Sequence, residues 1–149
     1  ESLTGRRFDG WFSPANTANA ETASAAADEG LSYIVDYFHD DQPTLIANGR
    51  IVCLPYTMDL NDGWNFRFAV EANDFVQATI DQFEQLYADG SEHGRVMSLP
   101  LHPFVFGQPH RLIALRRLLD HIAAKPGVWF ATGSEIANWW RTSIQDHVA

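Results

Sequence analysis

Short continuous runs of apolar residues alternate along this chain with longer segments that carry apolar residues at helical spacing. The runs are bounded by glycine, proline and polar turn residues, which is the pattern of strands buried on both faces of a parallel sheet. On this basis five strands are predicted, over residues 8–14 (running into a loop), 31–37, 51–56, 95–101 and 128–132.

The segments between these runs predict helices. Residues 20–29 are rich in helix-forming residues and are followed by Gly30, a common helix stop. Longer helices are predicted over about 73–89, with Asn73 or Asp74 as the N-cap, and from Pro109 onward. A closing helix is predicted over residues 134–148, with Ser134 as its N-cap. The predicted buried stripes are Val76, Ile80, Phe83 and Tyr87 in the first long helix, and Leu112, Leu115, Leu119 and Ile122 in the second.

This alternation of strands and helices predicts an α/β fold with a parallel sheet covered by helices. Five strands can form a small open sheet or part of a (β/α) barrel. A complete barrel takes about 250 residues, and this chain has 149. A barrel segment would have two unpaired strand edges, which invite pairing with another segment.

Polar side chains follow each predicted strand at its carboxyl end, where parallel α/β folds place their reactive residues. We therefore expect these side chains to converge on one rim of the sheet. They are Ser13, Asp36 with His39, Asp59 with Asn61 and Asp62, His102, and Thr132.

Charge and cysteine content restrict the partners and the location. The formal net charge is -9, which argues against nucleic acid and against an anionic membrane, because phosphate binding needs a cationic face. No apolar run approaches the roughly 18 residues of a membrane span. Cys53 is the single cysteine, so we expect a buried, reduced thiol and a cytoplasmic protein.

Five stretches, taken together, resemble the polysaccharide deacetylase superfamily, and in particular its allantoinase and cyclic imide hydrolase branch. They are GWFSP, YIVDYFHDDQP, PYTMDLND, RVMSLPLHPFVFGQPHRLIAL and VWFATGSEIANWW. The resemblance covers nearly the whole chain. It implies that residues 1–149 form a single partial domain, the C-terminal part of a distorted (β/α) barrel that another chain completes.

The first half of the barrel in this family carries an Asp-Asp motif and a His-x-x-x-His motif, which supply the catalytic base and, in deacetylases, the metal ligands. Neither is recognised here, and the six histidines include no pair three or four residues apart. The resemblance therefore implies no metal ligand in this chain. A divalent metal such as zinc, if used, would be held by the missing half. We expect that half on a second polypeptide, or a homo-oligomer.

His102 of the LHP sequence matches the family histidine that lines the cleft and acts as general acid on the leaving group. An imidazole exchanges a proton near neutral pH, so the residue type suits this role. The alternative from the residue alone is a core histidine hydrogen-bonded to the backbone. Pro103 accounts for part of the sharp turn that follows, because proline cannot donate to a continuing strand ladder.

Seven further residues are predicted to bind substrate: Trp11, Ser13, Pro14, Asp36, Asp59, Asn61 and His110. The structural alternatives are core packing for Trp11, an ion pair for Asp36, a solvated turn for Asp59 and Asn61, and helix capping for His110. Many deacetylases have an arginine where this chain has Phe12, and that difference favours a small amide or ring substrate.

Three functions remain open. The first is an amidohydrolase that cleaves the C–N bond of a small amide, ureide or cyclic imide, with His102 protonating the departing nitrogen. The second is an N-deacetylase of peptidoglycan or another acetylated sugar polymer. The third is a non-catalytic half-barrel that completes or regulates a partner.

Overall fold

The computed structural model describes residues 5–148, with side chains up to residue 144. The chain divides into two compact units. The sheet unit contains the chain up to Tyr56 and again from Phe130, and the helical unit is Thr57–Trp129. Each unit has its own hydrophobic core. The single domain over residues 1–149 stays a prediction.

The sheet unit is built on a four-stranded sheet with the strand order β1-β2-β4-β3. β1 (Gly10–Trp11) pairs in parallel with β2 (Tyr33–Ile34), and β2 pairs in parallel with β4 (Ile51–Cys53). All residues of 51–56 are buried, as a strand covered on both faces requires. The predicted parallel sheet is confirmed for these three strands, although each is shorter than its apolar run.

The fourth strand, β3 (Thr44–Ile46), pairs antiparallel with β4 and is not among the predicted strands. Ala47, Asn48 and Gly49 have φ angles of 51°, 58° and 81°, and this left-handed stretch turns the chain back onto β4. The strand was missed because three residues are too few to show an alternating pattern.

Helices pack on both faces of β4, whose successive side chains point to opposite sides. Ile51 and Cys53 lie in one core cluster with the alanines of α1 (Thr22–Asp28). Val52 and Leu54 lie in a second core cluster, together with Ala137 of α6 (Gly133–Val148). Both helices were predicted, and this layering of helix, sheet and helix confirms the α/β class.

The N-terminus of α6 is capped by Thr132, and the prediction of Ser134 as its cap is wrong. The Thr132 hydroxyl accepts the N–H of Glu135, and the Glu135 carboxylate accepts the N–H of Thr132 at 2.7 Å. This reciprocal pair is a capping box, and it holds the pKa of Glu135 below its usual value. The Ser134 hydroxyl instead donates to Asp9 at 3.1 Å.

The helical unit contains α2 (Asp62–Arg67), α3 (Ala72–Asp89), α4 (Pro103–Phe106) and α5 (Pro109–Ala123). α3 begins within one residue of its predicted start and ends at its predicted end, and α5 begins at Pro109 as predicted. The N-cap of α3 is Glu71, so the predicted caps are wrong, and Asn73 inside the helix accepts a hydrogen bond from Arg117 at 2.6 Å.

The buried stripes of α3 and α5 differ from the predicted ones by about one position. In α3, Val76 and Phe83 are buried as predicted, while Tyr87 lies at the surface. In α5, Leu119 is exposed and Leu118 is fully buried. The four leucines of α5 share one broad face of the helix, so spacing alone does not select which of them are buried. The core side chains of the unit are Phe75, Val76, Phe83, Val105, Phe106, Ala114, Leu118 and Ile122.

Two predicted strands, over 95–101 and 128–132, are not paired into the sheet, and these predictions are wrong. Met97 and Leu99 are partly buried and pack against the core of the helical unit, so the apolar run correctly indicated contact with a core. Trp129 and Phe130 are largely exposed. A strand also requires a hydrogen-bonded neighbour, and an apolar run does not specify one.

None of the helices within residues 5–148 combines the length and the apolar character that crossing a membrane requires.

Candidate active site

The side chains of Asp62 and His102 form a hydrogen-bonded pair in the helical unit. Nδ1 of His102 lies 2.6 Å from Oδ1 of Asp62. The backbone N–H of His102 also donates to both oxygens of the same carboxylate, at 3.0 and 2.9 Å. Asp62 is fully buried, whereas the His102 side chain is 38% exposed. A buried acceptor therefore holds one edge of an imidazole whose surface is partly open.

Local sequence places both members of this pair. Asn61 is the N-cap of α2, and its side-chain oxygen accepts the N–H of Trp64 at 3.0 Å. Asp62 follows as the first residue of the helix, and its N–H donates to Pro100 at 3.2 Å. This last contact ties the start of α2 to the segment that leads into His102.

His102 is the N-cap of α4 and has extended backbone angles, φ -111° and ψ 127°. Its carbonyl accepts the N–H groups of Val105 and Phe106 at 2.8 and 3.0 Å. Pro103 occupies the first helical position, where its missing N–H costs nothing. The abrupt turn after the apolar run is therefore the start of a short helix, with the histidine at its entrance.

The pairing fixes the tautomer of His102. An ionised carboxylate only accepts hydrogen bonds, so the proton of a neutral His102 lies on Nδ1, facing Asp62. Nε2 is then left to accept a proton, or to donate one when the ring is charged. The buried carboxylate also fixes the orientation of the ring. This is the arrangement of a general acid–base group held by a carboxylate.

A second polar cluster joins three of the predicted residues in the sheet unit. Both carboxylate oxygens of Asp36 accept the backbone N–H of Ser13, at 2.9 and 3.2 Å. The indole N–H of Trp11 donates to the Ser13 hydroxyl at 3.0 Å. Asp36 and Ser13 are buried, and Trp11 is 44% exposed. The aspartate thus holds the peptide backbone after β1 and leaves one side of the indole open.

The remaining predicted residues are placed as follows. Pro14 is exposed at the start of a 3₁₀ turn, Pro14–Asn16. Asp59 is exposed, and its carbonyl accepts a hydrogen bond from Asn65 at 2.7 Å. His110 is exposed in the first turn of α5. Asn61, in contrast to Asp59, is buried.

The structure brings together Trp11, Ser13 and Asp36 in one unit, and Asp62 and His102 in the other. The convergence of all these groups on a single rim stays a prediction. So do the substrate-binding roles of Trp11, Ser13, Pro14, Asp36, Asp59, Asn61 and His110.

Sequence reasoning noticed Asp62 only as one polar residue of a loop and did not pair it with His102. The available signal was local: asparagine is a favoured N-cap residue, so Asn61 could have indicated a helix that begins at Asp62. The partner, 40 residues further along the chain, was beyond any local pattern.

Cys53 is buried in the sheet unit, as predicted. Burial, more than any other cause, raises the pKa of its thiol to about 11. Its sulfur lies 3.7 Å from Nδ1 of His39, whose Nε2 lies 2.7 Å from the Thr44 hydroxyl. The thiol also lines a cavity of about 370 Å³. It stays protonated at neutral pH and is therefore a weak nucleophile.

Among the side chains of residues 5–144, no group of three or more His, Cys, Asp or Glu is arranged to hold a metal ion. Asp40, beside the adjacent Asp41, accepts the N–H groups of Asp41 and Gln42 at 2.7 and 3.0 Å. These hydrogen bonds, the one from Gln42 first, lower the pKa of Asp40. The described part of the chain does not offer the donor set of a catalytic metal.

The known proteins that this chain resembles are of the polysaccharide deacetylase type. No family model matches the chain. A protein of Schizosaccharomyces pombe that carries the name polysaccharide deacetylase is 32% identical, over 70% of this chain and 37% of that protein. The peptidoglycan deacetylase of Helicobacter pylori is 28% identical, over 77% of this chain and 39% of its own length.

Solved structures of the same type share the fold of the chain. PuuE allantoinase, known from a crystal structure, has 32% sequence identity to this chain. The two structures superpose with a TM-score of 0.82 over 95% of this chain and 48% of the allantoinase. A Pseudomonas aeruginosa protein described as a polysaccharide deacetylase is 30% identical, with a TM-score of 0.81 over 95% of this chain and 49% of its own.

The chain therefore spans less than two-fifths of either curated relative and about half of each solved structure. A partial sheet with this coverage is consistent with an incomplete barrel.

Proposed function

We propose that this chain is the C-terminal portion of a polysaccharide deacetylase-like hydrolase that cleaves a C–N bond of a small amide, ureide or cyclic imide. The observation that carries the proposal is the buried Asp62 carboxylate, which holds the half-exposed imidazole of His102 at 2.6 Å. Similarity to PuuE allantoinase supports a C–N hydrolase with a small substrate.

In the proposed reaction, water adds to the carbonyl carbon of the substrate, and the C–N bond of the resulting tetrahedral intermediate then breaks. The departing nitrogen is a poor leaving group unless it is protonated. His102 supplies that proton from Nε2, while Asp62 holds the ring in the orientation for the transfer. A positioned acid of this kind contributes roughly 10²–10⁴-fold to the rate.

The base that activates the water is proposed to come from the rest of the barrel, on a second polypeptide, on another copy or on further sequence of the same chain. A divalent metal such as zinc, if the complete enzyme uses one, would be held there as well. The described residues of this chain provide no such ligand set, and no step assigned to them depends on a metal.

A second candidate function is N-deacetylation of a sugar polymer. Its specific support is the similarity to the peptidoglycan deacetylase of Helicobacter pylori and to the deacetylase-named protein of Schizosaccharomyces pombe. The proton transfer from His102 would be the same, because an acetamide also releases a nitrogen. Phe12, in the position where many deacetylases have an arginine, favours the first candidate.

The test uses the protein purified under native conditions from its source, so that any accompanying polypeptide stays attached. Native mass spectrometry reports its composition, and the same material is assayed on a ureide, a cyclic imide and an N-acetylated glycan. We expect hydrolysis of a ureide or imide. Hydrolysis of the glycan alone would favour the second candidate. Absence of turnover on all three substrates would favour a non-catalytic half-barrel and contradict the proposal.

A further inference from the structure

We propose that Gly63 is a positioning residue for His102: the missing side chain at position 63 leaves the space that the imidazole needs to reach Asp62. The inference rests on the proposed function, because it assigns Gly63 a role in orienting the proposed proton donor. Its physical basis is the close approach of the imidazole to the first turn of α2.

A Cβ atom built on Gly63 would lie 3.0 Å from Cε1 and 3.1 Å from Nδ1 of His102. It would also lie 3.3 Å from the side-chain oxygen of Asn61. Such separations are shorter than ordinary carbon contacts of about 3.5–4.0 Å. Any side chain at position 63 therefore requires a neighbour to move by a few tenths of an ångström.

His102 is the neighbour expected to move. The Asn61 oxygen is held at its place by the N–H of Trp64, as the cap of α2. The imidazole is partly exposed and has room on its open side. A ring that shifts outward lengthens its hydrogen bond to the buried Asp62. The added methyl group is therefore expected to weaken the contact between His102 and Asp62.

Backbone geometry does not explain a glycine at this position. Gly63 is not among the glycines with positive φ, and it is the second residue of α2. Glycine weakens a helix relative to alanine because it loses more conformational freedom on folding. The local helix thus favours alanine, whereas the neighbouring imidazole favours glycine.

The experiment compares Gly63→Ala with Gly94→Ala in the native assembly. Gly94 is the matched control, because a Cβ at that position would meet nothing within 4 Å. Histidine labelled with ¹⁵N reports the His102 Nδ1–H by NMR without substrate, and His102→Gln assigns the signal. Turnover on the preferred amide substrate and thermal unfolding are measured on the same samples.

We expect Gly63→Ala to shift the Nδ1–H signal and to lower kcat by about tenfold, with a smaller change in KM, because small misplacements of a catalytic group are costly. Its unfolding temperature should be unchanged or higher, and Gly94→Ala should change neither signal nor kcat. A Gly63→Ala variant with an unchanged signal and full kcat would overturn the inference, and so would one that is markedly less stable.

The NMR signal separates this inference from the proposed function. A shifted signal in a protein that hydrolyses no amide would support the role of Gly63 in positioning the ring and contradict the hydrolase. If the wild type hydrolyses an amide and Gly63→Ala matches it in signal and rate, the role of Gly63 is contradicted and the proposed function is not.

Discussion

Nδ1 of His102 lies 2.6 Å from the fully buried carboxylate of Asp62, although the two residues are 40 positions apart in the sequence. The same carboxylate accepts the backbone N–H of His102. One side chain therefore fixes both the position of the histidine backbone and the orientation of its ring.

Replacing Asp62 by Asn tests this relationship at nearly constant volume. An amide can present its NH₂ group to Nδ1, which would favour the other tautomer and leave Nε2 protonated in the neutral ring. We expect kcat for amide hydrolysis to fall by about 100-fold or more, with a smaller change in KM. Steady-state kinetics measures both quantities. Asp74→Asn, at an exposed position of α3, is the control, and equal kinetics for the two variants would contradict the role of Asp62.

The contact between Asp36 and Ser13 makes a prediction about stability. Asp36→Ala leaves the buried N–H of Ser13 without its acceptor, and such a loss costs about 1–3 kcal/mol. Asp36→Asn retains an acceptor oxygen and should recover most of that free energy. Denaturant unfolding of the two variants measures the difference. Equal stability of the Ala and Asn variants would show that the backbone contact is unimportant.

Cys53 makes a prediction about alkaline pH. Its folded pKa of about 11 lies above the roughly 8.5 of an exposed thiol, so the folded state binds the proton more tightly. The associated stability is fully present below about pH 8.5 and is lost as pH rises toward about 11. Unfolding free energies of wild type and Cys53→Ala, measured from pH 8 to pH 11, should converge. A constant difference across this range would contradict the raised pKa.

Glu84 makes a prediction about acid pH. Hydrogen bonds from Lys125, and then from His121, lower the pKa of Glu84. They link α3 at 2.7 Å to Lys125, just after the end of α5, and at 2.6 Å to His121 within α5. Because the pKa of Glu84 is lower in the folded state, its ionised carboxylate stabilises the fold above the unfolded pKa of about 4.3. This stability is lost as the pH falls through the folded pKa. Glu84→Gln should therefore be less stable than the wild type at pH 7, and the difference should narrow as the pH falls toward 3. Thermal unfolding at both pH values measures this, and a difference at pH 3 as large as that at pH 7 would contradict the lowered pKa.

Parts of the fold that are set by local sequence patterns could be predicted, whereas parts that are set by contacts between distant segments could not. α3 and α5 have long apolar stripes, and both ends of α3 and the start of α5 were predicted closely. Residues 51–56 were identified as buried because the run is wholly apolar. The segment 95–101 was misassigned, since its apolar residues specify burial but not a strand partner. The three-residue strand β3 was missed because its pattern is too short.

The candidate site was predictable only in part. His102 was identified from its place after an apolar run and from the resemblance of its motif to a known family. The role of Asp62 was not, because a pair 40 residues apart is defined by tertiary structure. The contact of Gly63 with the imidazole is likewise a property of packing, and no local rule distinguishes this glycine from one in an ordinary turn.

The most direct test of the account is the turnover of His102→Ala in the native assembly, on whichever amide substrate the wild type hydrolyses. The control is His93→Ala, at an exposed position outside the proposed site. If His102 protonates the leaving nitrogen, its variant should lose at least about 100-fold in kcat, while His93→Ala stays near the wild-type value. A loss of only a few-fold for His102→Ala, in a variant that folds like the wild type, would contradict the account.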